Sequence, residues 1–254
     1  MAGTANLKDL LTRNMRQSGI YIAFVLIVVL FTGLTGGTLL SPGNLTNLVL
    51  QYSYILILAI GMVLIIVAGH IDLSVGSVVA LTGAVAAVVV IGNGMPWWLG
   101  VLAALGTGIL VGLWQGFWVA FVGIPAFIVT LAGMLIFRGL TMQVLGNVSL
   151  SPFPKEYQYI SGGFLNGILG GPGYDAFTLF LFAALVVVFA IQQYRGRLAK
   201  LKYKQPVEAQ FLFWLKIALV GAVVMAFAWQ LANSRGLPVV LILLAALVLI
   251  YGFI

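Results

Sequence analysis

Between Tyr52 and Val67 the chain reads YSYILILAIGMVLIIV, without one charged side chain. Eight stretches of this kind lie at roughly 20–40, 48–69, 75–92, 97–119, 124–146, 176–194, 212–232 and 237–254. A helix needs about 20 apolar residues to cross the ~30 Å hydrocarbon core of a bilayer. No water serves the backbone there, so each run must close its own hydrogen bonds as a helix. Composition agrees. Of 254 residues, 63% are hydrophobic and 7% charged, with a mean hydropathy of +1.18; a soluble domain carries roughly 25% charged residues. The expected fold is all-α, a polytopic membrane helix bundle of about eight transmembrane helices.

The charges set the expected topology. The net charge is +7, and the basic residues sit in short clusters beside apolar spans. That is the pattern of membrane orientation, not of a face for nucleic acid. Lys8, Arg13 and Arg16 precede the first span, which is too long for the ~7–15-residue core of a secretory signal. Segment 195–211 holds Arg195, Arg197, Lys200, Lys202 and Lys204 against Glu208. Both ends should be cytoplasmic, with six spans between them. Residues 1–19 are then a cytoplasmic segment and 20–254 a multi-pass membrane domain. Loop 147–175, with Lys155 against Glu156 and Asp175, falls outside. Trp97 and Trp98 mark the outer interface and Trp214 the inner one.

Few polar groups interrupt the spans. In AGHIDLSVGS (68–77), Asp72 and the chain's single histidine, His70, stand between two uncharged runs. Asp72 or Ser74 can cap the start of the third span, where the helix dipole favours an anion, while Gly69 and Gly76 leave the backbone room to turn. Ionisable groups at membrane depth face protein or a wet pathway, and broken helices in transporters end at that pathway. Capping and lining a route are compatible here. His70 is read as a neutral hydrogen-bonding group, with proton coupling as the alternative. Arg138 either snorkels to the outer interface or closes the outer mouth. Trp114 and Gln115 place an indole and an amide within the fourth span, for interhelical bonding or for the hydroxyls of a transported solute. Gly100, Ala104, Gly108, Gly112 and Gly116 recur every four residues on that span and predict close packing, with Gly76, Ala80 and Ala84 of the third as a matching row.

No phosphate loop, dinucleotide fingerprint or HExxH occurs, nor any paired carboxylate or nucleophile with a base. With five acids, one histidine and no cysteine, catalysis, a metal or a bound cofactor is not expected. A passage for solutes is.

The stretch AGHIDLSVGS resembles the glycine–isoleucine–aspartate–leucine–serine signature of sugar permeases in bacterial ATP-binding-cassette importers, the group serving ribose, galactose, arabinose and xylose. His70 stands where most of that group has glycine. In GLWQGFWVAFVGIPAFIVTLAGMLIFRGL (112–140), Gln115 stands where most have asparagine. Both variants look like the xylose type. The resemblance implies a pathway subunit of an ATP-driven importer, not an enzyme, for a monosaccharide, D-xylose. It also implies a homodimer with a second permease copy, two cytoplasmic ATPase subunits that use the ATP, and a periplasmic binding protein. It marks Gly69, His70, Asp72, Ser74, Gly76, Trp114, Gln115 and Arg138 as signature or pathway residues. Such permeases have about ten spans and a cytoplasmic coupling segment after a span like 237–254, so a chain ending at Ile254 is expected to lack that segment. The competing class is an ion-coupled secondary sugar transporter or passive channel, with Asp72 as its single candidate coupling acid.

Overall fold

A computed structural model describes residues 15–171, 173–203, 205, 207 and 209–252. Lys8, Arg13, Lys204 and Glu208 lie outside the described residues, as does the side chain of Arg16. The elements are α1 (Met15–Leu34), a 3₁₀ turn (Thr38–Leu40), α2 (Pro42–Val67), α3 (Val75–Ala87, extended by a π turn over Val88–Gly92), α4 (Trp97–Ala120), α5 (Ala126–Leu145), α6 (Lys155–Gly162), the two-residue strand β1 (Phe164–Leu165), α7 (Ala176–Lys202), α8 (Gln210–Ala232), β2 (Leu237–Pro238) and α9 (Val239–Tyr251).

Six of these helices, α2, α3 with its π turn, α4, α5, α7 and α8, are long and apolar enough to cross a membrane. The expected count of eight is approximate. Among the described residues, the stretch Ile22–Leu34 of α1 and helix α9 are apolar but shorter. The predicted first span of 20–40 stops early because Gly36 and Gly37 take positive φ (58° and 87°) and turn the chain at Leu34. A short helix, α6, lies within loop 147–175, where the apolar pattern offered no signal.

Prolines set the helix starts. Pro96, Pro125, Pro154 and Pro238 each stand immediately before a helix, and Pro42 is the first residue of α2. Proline supplies a helical φ but no N–H, so it is tolerated at a start and disruptive further in. Gly146, at φ 61°, ends α5 in the left-handed conformation.

The chain divides into two compact units. One comprises the described residues up to Leu48 together with Asn166–Leu237. In it α7 and α8 pack side by side. The Asp175 carboxylate caps α7: it accepts from Thr178 N–H (2.9 Å), from the Thr178 hydroxyl and from Gly167 N–H (3.1 Å). Asp175 N–H in turn donates to the Ala232 carbonyl at the end of α8 (3.0 Å).

The other unit comprises Val49–Leu165 and the residues from Pro238 on. Here α3 packs against both α4 and α5, and α9 packs on α6. Leu81, Val111 and Phe137, one from each of the three packed helices, form its buried apolar centre. Close approach of α3 and α4 depends on Gly100. A Cβ there would overlap Val90 Cγ2 in the π turn.

Candidate functional site

The polar centre of the second unit is the break between α2 and α3. Helix α2 ends in a Schellman motif. Gly69 N–H bonds the Ile66 carbonyl (2.9 Å) and His70 N–H the Ile65 carbonyl (3.0 Å), with Gly69 at φ 79°. A side chain would strain that position. The chain then runs without regular secondary structure to Ser74, where α3 begins.

Asp72 organises the turn. Its Oδ1 accepts from Ser74 N–H and from Ser74 Oγ–H, both at 2.7 Å. The carboxylate therefore sits at the N-terminal end of α3, where the helix dipole favours it. The Ser74 side chain makes no capping bond to its own helix. Its hydroxyl, fully buried, accepts instead from Gln115 Nε2 of α4 at 2.8 Å. This is the interhelical bond open to a mid-membrane amide.

Helix α5 closes the third side. Thr130 Oγ1 accepts from Leu73 N–H (3.2 Å) and donates to the Ala126 carbonyl (2.9 Å), with the Ile71 carbonyl at 3.3 Å. One helical turn on, Gly133 leaves space for the amide. A Cβ at Gly133 would come 2.6 Å from Gln115 Nε2 and 3.0 Å from Phe137 Cε2. Thr130, four residues after Ala126, and Gln115, five before Ala120, place the break about 6–8 Å inside the ends of α5 and α4 at 1.5 Å per residue. Thr130 and Gly133 carried no signal as single residues in an apolar helix.

One groove opens on each side of the break. The first holds about 310 Å³ and is lined by Leu73, Gly76, Ser77, Ala80, Met134 and Arg138. Arg138, exposed, thus lies on the side of α5 that meets α3. The second, about 300 Å³, lies where His70 and Ile71 meet Val119 at the end of α4 and the α4–α5 connection at Gly123, Ile124 and Pro125. His70 is exposed there. Asp72 is half-buried between the two.

Trp114 is partly exposed and sets its ring edge-on to Trp118 (6.3 Å) and Phe137 (5.8 Å). The small residues of α4 separate into two groups. Gly100 is buried against α3, and a Cβ at Gly108 would meet Thr82 of α3 at 3.9 Å; Ala104, between them, is half-buried. Gly112 and Gly116 are exposed, and a Cβ at either would have nothing within 4 Å. Four residues advance a helix by about 400°, so such a row drifts about 40° at each step and leaves the neighbour. On α3, Ala84 is buried while Gly76 and Ala80 line the Arg138 groove. Among the described residues, no group of three or more His, Cys, Asp or Glu side chains is placed to hold a metal ion.

Residues 44–198 match the family described as branched-chain amino acid transport system / permease component. The xylose transport system permease protein of Escherichia coli K12 is 36% identical over 97% of this chain and 60% of its own length. That of Haemophilus influenzae is 33% identical over 93% and 61%. The ribose import permease protein of Escherichia coli K12 is 43% identical over 50% of this chain and 39% of its own. The chain thus spans about three fifths of the length of the xylose relatives. No solved structure matches.

Proposed function

This chain belongs to the permease-component family described for branched-chain amino acid transport systems, and from that premise we propose that it forms part of the membrane pathway of an ATP-driven importer for a monosaccharide, D-xylose. The xylose permeases, similar over nearly the whole chain, support that substrate. The proposal includes the partners such a pathway needs: a second permease copy, two ATPase subunits that hydrolyse the ATP, and a binding protein that delivers the sugar. It needs no catalytic residue in this chain.

The N-terminus is placed in the cytoplasm of a cell whose inner membrane holds the six long helices. With α1 also crossing, as the basic segment 195–211 on the cytoplasmic side requires, α3 and α5 run outward, and the break lies about one turn above the cytoplasmic ends of α4 and α5. The groove at His70 faces inward. The groove at Arg138 lies about 12 Å further out along α5 than Thr130. The carrying observation is this geometry: a non-helical segment, held by the Asp72–Ser74–Gln115 chain of hydrogen bonds, separates two grooves on opposite sides of it. A sugar, rich in hydroxyls, finds polar side chains at the segment and small side chains beside it. Asp72 and Ser74 shape the segment; Arg138 and Ser77 are the polar groups of the outer groove.

The test is uptake of labelled D-xylose by cells that depend on the full natural gene product, compared with the amount of folded protein in the membrane. Asp72→Asn should lower uptake more than it lowers folded protein. Parallel losses would reduce Asp72 to a helix-start residue and remove the pathway role.

A further inference from the structure

Helices α7 and α8 form a second polar recess that the pathway does not use. It encloses about 260 Å³ and is lined by Gln192, Gln193, Arg197 and Lys200 of α7 and by Phe213 and Lys216 of α8. Its place along the helices is informative. From Ala176 to Ile191 α7 carries no charge and, after Thr178, no polar side chain; Gln192 and Gln193 then follow. The recess therefore opens at the level where the hydrocarbon gives way to headgroups. On α8, Lys216 lies six residues in from Gln210, about 9 Å along the axis. Apart from it the helix carries no charged residue. An ammonium at that depth is costly unless it reaches a polar interface or an anion.

The surroundings fit an amphiphile. Arg197 lies over the Phe213 ring at 4.8 Å, which holds the guanidinium at the seam. Tyr194 and Trp214, the sequence neighbours of Gln193 and Phe213, are exposed and stack at 6.4 Å. Such aromatic pairs sit at the headgroup level of a bilayer. Among the described lining residues there are three cations and two amides, and no carboxylate. Basic recesses between membrane helices take phosphate-bearing headgroups, and charge-assisted bonds from lysine and arginine to phosphate are the strong ones.

We propose that this recess binds the phosphate of an anionic lipid headgroup, with Lys200, Lys216 and Arg197 as the cationic contacts and the two glutamines as amide donors. The site stands on α7, α8 and their connection at Val207, and is independent of the transported substrate.

The experiment is native mass spectrometry of the full chain released from nanodiscs of equimolar dioleoyl phosphatidylglycerol and dioleoyl phosphatidylcholine. The wild type should retain phosphatidylglycerol in preference. K200Q/K216Q should reduce that preference roughly twenty-five-fold, about fivefold for each lysine at an anionic surface. K200R/K216R keeps the charge and should retain the lipid. R195Q/K202Q removes two basic residues of the same helix end that do not line the recess and should change little. Inorganic phosphate identifies the source: lipid that survives millimolar phosphate is the ligand itself, whereas displacement by phosphate assigns the same cationic contacts to the free anion. Equal loss in both double-glutamine variants would mean a diffuse surface potential and overturn the site. So would equal retention of the two lipids by the wild type.

Discussion

The amide of Gln115 on α4 donates to the hydroxyl of Ser74, the residue that opens α3, at 2.8 Å. That hydroxyl donates in turn to Asp72 at 2.7 Å. One buried serine therefore links a helix interior to a carboxylate in the break. The consequence is that the position of the break depends on α4 as well as on the turn's own residues. Within lipid such bonds replace partners that water cannot supply.

The link should be measurable as a coupling. Ser74→Ala and Gln115→Leu each remove one partner. Their thermal or denaturant stabilities in lipid, with that of the double variant, form a cycle. Interhelical side-chain bonds in membranes average about 0.6 kcal/mol and reach about 1.7. Coupling within that range is expected. Strict additivity of the two single losses would contradict the bond.

Gly133→Ala tests the space that the amide occupies. The new methyl would meet Gln115 Nε2 and Phe137 Cε2. Forced repacking of a filled core costs about 1–3 kcal/mol. Shortening the amide, as in Gln115→Asn on the Gly133→Ala background, should recover part of that loss. No recovery would place the clash elsewhere.

The glycines of α4 should answer differently. Gly100→Ala collides with Val90 of the π turn and should destabilise the α3–α4 contact. Gly112→Ala meets nothing within 4 Å. Alanine exceeds glycine in helix propensity by about 1 kcal/mol, so this second change should be neutral or stabilising. Melting of the two purified variants decides the matter, and a large loss for Gly112→Ala would reveal a partner that the single chain does not contain.

At the other unit, Asp175→Ala removes the acceptor of Thr178 N–H and Gly167 N–H. Loss of an N-terminal cap costs about 0.5–2 kcal/mol. Faster amide exchange at the first turn of α7, with the later turns unaffected, is the expected signature.

Arg138→Gln and Arg138→Lys probe the outer groove. With the pathway proposed above, glutamine should reduce sugar uptake at constant protein level, and lysine should restore part of it. Unchanged uptake in both would assign Arg138 to the lipid interface.

Much of this molecule was legible one residue at a time. Length and absence of charge located the six long spans, since only a self-bonded helix survives in hydrocarbon. Gly69 and Asp72 marked the break. Other features depended on distance in space. The regular row from Gly100 to Gly116 does not form one contact face, because a four-residue interval drifts around the helix. Thr130 and Gly133 are silent in sequence, since a threonine and a glycine in an apolar helix are ordinary. Their roles arise when α5 lies against the break and the amide of Gln115 needs room. The sequence by itself determined the elements, which follow from local burial of backbone polar groups. The tertiary structure decided which polar side chains satisfy one another, since those partners are 41 and 57 positions apart and meet only when the helices pack.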